Sequence, residues 1–134
     1  MAVIGTRAAL AVQHESLGAA HVSEVLGIEP SESFEIGQAY ARGTRAREHS
    51  YWALDSPGDG DLENQLRALL ERISPLHRGL RELRDEGYRL TWTCYVEERD
   101  GDGAVSLSAA LLNDLGTLPV DLWVDTYADT PAAE

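Results

Sequence analysis

Polar and apolar positions alternate from residue 7 to 15, with Ala8, Leu10 and Val12 on one face and Arg7, Gln13 and Glu15 on the other. A period of two predicts a strand. In AAHVSEVLG, Val22, Val25 and Leu26 share a helical face, and Gly27 and Pro30 supply the stop. Phe34 and Ile36 alternate with Glu35 in a short strand ending at Gly37, and residues 38–48 have no apolar period and read as a loop. The segment HSYWALDS alternates again, Tyr51 and Ala53 opposite Trp52 and Leu54, before the turn cluster SPGDGD. Asp61 then caps a helix whose apolar positions are Leu62, Leu66, Leu69, Leu70 and Ile73, and the stripe resumes at Leu76, Leu80 and Leu83. Ser74 and Pro75 between the two predict a kink or restart, because proline suits a first helical turn and not an interior one.

The clearest strand is YRLTWTCYVEE: Leu90, Trp92, Cys94 and Val96 line one face, and Arg89, Thr91, Thr93, Tyr95 and Glu97 the other. RDGDG forms its turn. Ser108 caps the short helix AALLNDL, Gly116 ends it, and Pro119 precedes a last strand with Val120, Leu122 and Val124 opposite Asp121, Trp123 and Asp125. The tail ADTPAAE is expected to fray. Residues 8–36 and 90–124 echo each other, sharing LGIEP (26–30) and LGTLP (115–119) between a helix and a strand. The order β α β β α β α β predicts an α+β fold: a two-layer sandwich, one mixed sheet with helices on one face, ferredoxin-like in its first six elements with an added helix–strand unit. The stripes at 8–12, 90–96 and 120–124 are expected side by side beneath the leucine ridge of 62–83. One domain spans 1–134, with its ordered core at about 7–127.

Several short words carry a likeness. LGIEP, then Gly37, an arginine-bearing loop and YWALDS, followed by DLENQLRALLERISPLHRGLRELR and LSAALLNDLGTLPVDLWVDTY, resemble in order and spacing the bacterial domain-of-unknown-function family 4279. The resemblance covers about residues 7 to 127. The family's pattern of G, R and W-x-L-x-S falls on Gly37, one of Arg42, Arg45 or Arg47, then Trp52, Leu54 and Ser56. That family has no agreed activity, so the resemblance implies the fold and supplies no chemistry.

Charge changes the picture more than composition does. Hydrophobic residues make up 43% of the 134, an ordinary globular share. The net charge is −12, unevenly spread: residues 1–54 hold six acids against four arginines, and residues 55–134 seventeen against seven. Such a surface repels phosphate backbones, so no nucleic acid is expected as a partner, and a basic protein is a plausible one. No apolar run reaches the roughly 18 residues of a membrane span, and MAVIGTRAAL lacks the features of a signal peptide, so no membrane association is expected. With a single cysteine, Cys94, no internal disulfide can form, and the cytoplasm is the expected location. All eleven cations are arginine, a bias typical of GC-rich bacterial genomes.

Chemistry has few places to reside. No serine-nucleophile elbow or phosphate-binding glycine motif occurs, so no catalytic residue is assigned and an enzyme is not favoured. His14, His21, His49 and His77 include no helical i, i+4 pair, and no metal or cofactor is expected. Cys94 falls on an apolar strand face, where a thiol is inert. The arginine loop stands out: Arg42, Arg45 and Arg47 with His49 form a basic cluster in an acidic chain, with Trp52 nearby as a possible stacking surface. Guanidinium groups take carboxylate or phosphate bidentately; otherwise these arginines pair with the chain's own acids. The last strand alternates Asp121, Trp123, Asp125 and Tyr127 on one face, a pattern suited to receiving a basic partner.

Two functional expectations follow. The first is a non-enzymatic interaction module, an immunity- or inhibitor-type protein that binds a basic partner. The alternative is a small-anion binding protein or enzyme using the arginine loop. Oligomeric state is not legible in the sequence.

Overall fold

The computed structural model describes residues 3–58, 60–99 and 105–129. Strand β1 (Val3–His14) leads to α1 (Ala19–Leu26) and the short β2 (Glu32–Phe34). A small hairpin of β3 (Ala39–Tyr40) and β4 (Arg45–Ala46) follows, then β5 (Ser50–Asp55), α2 (Leu62–Ile73), α3 (His77–Asp85) and β6 (Arg89–Arg99). Helix α4 (Ala109–Leu115) and strand β7 (Asp121–Asp129) complete the chain.

Five strands form one sheet in the order β2-β5-β1-β6-β7. The first four pair antiparallel, and β7 runs parallel to β6. With α2 and α3 taken as one helical unit, β1, α1, β2, β5, α2–α3 and β6 have the ferredoxin-like arrangement, and α4–β7 extend it by one parallel strand. The α+β sandwich expected from the sequence is the fold observed.

Alternation decides which face the helices cover. Ala8, Leu10, Val12, Trp52, Leu54, Leu90, Trp92, Cys94 and Val96 all join one core cluster with the leucines of α2 and α3. Their neighbours in sequence point to the opposite, open face. Asp61 caps α2 by accepting from the Asn64 amide at 2.8 Å, and Ser108 caps α4 by accepting from that of Leu111 at 3.1 Å. Gly18 cannot cap α1 with a side chain. The Glu35 carboxylate does so instead, accepting from the amides of Ala19 and Ala20 at 2.7 and 2.9 Å. Ser74–Leu76 form one 3-10 turn, with Pro75 in its first positions, and α3 restarts behind it. Gly79 lets α3 approach α1 closely, because a Cβ there would lie 3.0 Å from Leu26 and 3.3 Å from the Val25 carbonyl oxygen.

Three expectations change. Residues 38–48 contain a hairpin, because backbone pairing of Gln38–Tyr40 with Arg45–Arg47 needs no apolar period. The stripe at 120–124 lies beside those of β1 and β6, and Val120 packs against the core, but Leu122 and Val124 are 42% and 41% exposed, because β7 is the sheet edge and no described helix covers them. The echo between the two LG words is not structural. Gly27 is left-handed at φ 71°, whereas Gly116 is right-handed at φ −67°, and β1 and β2 are separated by β5 whereas β6 and β7 are neighbours. The expected turn at RDGDG and the frayed tail fall largely outside the described residues, although β7 itself continues to Asp129.

Candidate functional site

The open face of the sheet can be read row by row from the register. One row runs Phe34, Tyr51, Gln13, Arg89; the next runs Glu32, Ala53, Ala11, Thr91, Asp121; a third runs Asp55, Ala9, Thr93, Trp123. Small side chains fill the middle and aromatic ones the two sides. Phe34 stacks on Tyr51 at 5.1 Å, and Tyr95 meets Trp123 edge-on at 6.1 Å. The result is a shallow trough made of two hollows. One, of about 440 Å³, is bordered by Ala11, Gln13, Arg89, Thr91, Asp121 and Trp123. The other, of about 700 Å³, shares Gln13 and Arg89 and extends to His14, Glu48 and His49.

The arginine hairpin stands at the His49 end. Its turn is tight: Gly43 donates to the Tyr40 carbonyl, and the two central residues, Ala41 and Arg42, take φ of 54° and 58°. Arg42 is thus held at the tip. Pairing of Tyr40 with Arg45 places both on one hairpin face, and alternation adds Arg47 to it. The Arg47 guanidinium lies between two rings, with Cζ 3.9 Å from the centre of Phe34 and 4.0 Å from that of Tyr40. Its Nε is buried without a hydrogen-bond partner. His49 meets Phe34 edge-on at 5.8 Å. Tyr40, Arg45, Arg47, Glu48 and His49 border a third hollow of about 460 Å³. Among the described residues, no acid forms an ion pair with Arg42, Arg45 or Arg47.

Trp52 does not belong to this site. It is fully buried on the helix-covered face, and its indole N–H donates to the Ser23 hydroxyl at 3.0 Å. A ring enclosed on all sides offers no platform to a ligand, so the stacking role falls to Phe34 and Tyr40. Ser56 also turns inward, its hydroxyl donating to the Gln65 carbonyl at 3.2 Å.

Strand β7 is the second candidate surface. Asp121, Trp123, Asp125 and Tyr127 share the open face, and Leu122 and Val124 the other. Trp123 and Tyr127 are 51% and 50% exposed, so this edge shows apolar surface on both sides. Asp121 lies 3.8 Å from Arg84, whose guanidinium also donates to the Pro119 carbonyl at 2.9 Å. The sheet's other edge, β2, is three residues long and follows Pro30. The two edges are therefore unequal.

Titratable groups behave as their surroundings dictate. Burial pushes the Cys94 thiol up to about 11 and away from reactivity. Burial, with help from Glu86 and Glu35, pushes the Tyr88 hydroxyl up to about 12, and that hydroxyl donates to the Gly18 carbonyl at 2.7 Å. His21 is raised by its hydrogen bond to Glu86. His14 accepts the amides of Ser16 and Leu17 at Nδ1, both at 2.9 Å, leaving Nε2 to donate to the Glu86 carbonyl. Both histidines are thereby tied into the fold. No metal-binding cluster of His, Cys, Asp or Glu occurs among the described residues, and no helix is long and apolar enough to cross a membrane.

The fold defines the class: an α+β sandwich of ferredoxin-like topology with one appended strand and an uncovered sheet face. The model of the family described as Domain of unknown function (DUF4279) matches residues 4–129, and the chain belongs to that family. No curated protein and no solved structure matches it. Membership agrees with the resemblance read from the sequence and assigns no activity.

Proposed function

We propose that this protein is a non-enzymatic interaction module whose β7 edge receives an extended segment of a basic partner, as an immunity- or inhibitor-type protein would. The observation that carries this reading is the exposure of Leu122, Trp123, Val124 and Tyr127 on both faces of an edge strand, with Asp121 and Asp125 alternating with the aromatics. An edge strand offers free backbone donors and acceptors to an added strand, and its alternate side chains set specificity. Here those side chains alternate acid and ring. An incoming strand that places arginine or lysine over Asp121 and Asp125 gains charge complementarity, and the rings take its aliphatic stems. The net charge of −12 draws such a partner in from a distance.

The test is titration of the protein with a synthetic strand of alternating arginine and valine, against a control with glutamate for arginine. The expected result is one-to-one binding of the basic strand alone, slowed by added salt. Changing Asp121→Lys with Asp125→Lys is expected to weaken it by about tenfold or more. Equal binding of both strands, or no response to the charge reversal, overturns the reading.

A further inference from the structure

We infer that Arg47, clamped between Phe34 and Tyr40, is a preformed receptor for the oxyanion group of a small molecule, a carboxylate or a phosphate. This surface is separate from β7 and does not depend on the reading above. Arginine binds oxyanions through a planar fork, and much of the usual cost is the freezing of a flexible side chain. Here that freezing is already done, because one ring lies on each side of the guanidinium, at 3.9 and 4.0 Å. The buried Nε is closed off, so the Nη edge is what remains to bind. In a chain with twelve more acids than cations, none of the described acids forms an ion pair with this fork. Stacking alone would hold the hairpin down with any orientation of charge; a fixed guanidinium bordering a 460 Å³ hollow together with Arg45 and His49 is a binding arrangement. Glu48 borders the same hollow and opposes an anion, which keeps affinity modest. Arg42, at the turn tip, does not border it.

The experiment follows the arginine side-chain N–H resonances of labelled full-length protein during separate titrations with inorganic phosphate and with acetate. Ionic strength is held constant with chloride. The Arg47 signal is expected to shift saturably with at least one anion while that of Arg42 does not. Tighter phosphate binding assigns a phosphoryl ligand, and tighter acetate binding a carboxylate; either supports the site. Arg47→Lys keeps the charge and loses the fork, and is expected to lower affinity about tenfold, roughly one charge-assisted hydrogen bond. Arg45→Gln is expected to weaken binding less, and Glu48→Gln to tighten it. The inference is overturned if Arg47 responds to neither anion in the unaltered protein, or if folded Arg47→Lys binds as well. Should that variant not fold, the unaltered protein together with Arg45→Gln decides.

Discussion

The carboxylate of Glu63 accepts both the backbone amide and the hydroxyl of Ser108, at 2.7 and 2.8 Å. Glu63 sits in the first turn of α2, and Ser108 is the cap of α4. One acid of the ferredoxin-like core thus holds the start of the appended helix–strand unit, and with it the placement of β7. Replacing Glu63 by alanine is expected to cost about 1–2 kcal/mol in urea unfolding, the range for a charged hydrogen bond and a disturbed cap. Amide exchange should rise first in α4 and β7. Uniform loosening of the whole sheet would contradict this.

The turn of the arginine hairpin holds two non-glycine residues, Ala41 and Arg42, at positive φ. Turns with both central residues left-handed favour Asn-Gly, and side chains elsewhere cost about 1 kcal/mol or more each. Ala41→Asn with Arg42→Gly is expected to raise the melting temperature while leaving the Arg47 clamp intact. A lower melting temperature would show that this backbone is unstrained.

The hydrogen bond that His21 donates to the Glu86 carboxylate raises the pKa of His21 above its unfolded value. The sign follows from linkage: this contribution is fully present below about pH 6.5 and fades as pH rises through the folded value. Because both side chains are more than a third exposed, at 39% and 37%, the effect should stay below about 1 kcal/mol. His21→Ala is therefore expected to destabilise at pH 5.5 and to be nearly neutral at pH 8.5. Equal losses at both would indicate a packing role instead.

Cys94 is fully buried, and its thiol is pushed up to about 11. The folded protein is expected to resist thiol reagents at pH 8 and to react at once in denaturant, as only the thiolate attacks. Rapid labelling of the native state would place this face of β6 outside the core.

At Gly79 two helices meet where a side chain would press on Leu26 and the Val25 carbonyl. Valine there should destabilise by about 1–3 kcal/mol, in line with other overpacked cores. The helical propensity gained over glycine does not offset that. Thermal unfolding of Gly79→Val measures it.

Alternation alone separated the two sheet faces correctly, since Leu10, Trp92 and Cys94 lie in the core and Gln13, Arg89 and Trp123 on the open face. Periodicity is local, so a strand of period two reports its faces wherever it sits. Position within the sheet is not local. Nothing in Leu122 and Val124 distinguishes a covered stripe from an edge; that depends on where α4 packs, and α4 leaves them bare. The arginine cluster was visible as a charge contrast, but its chemistry depends on Phe34 and Tyr40, which reach Arg47 only through the hairpin. Aromatics flanking an arginine-rich stretch were the available signal. Trp52 was misleading in the other direction, because the alternation that makes it a strand residue also turns it inward to Ser23.

The unequal edges set a limit on what this sheet can build. With β2 only three residues long and β7 nine, the described sheet has one long edge and one short one. Were β7 to take an added strand as proposed, the described sheet would keep no second long edge, and the product would be a finite pair rather than a fibre.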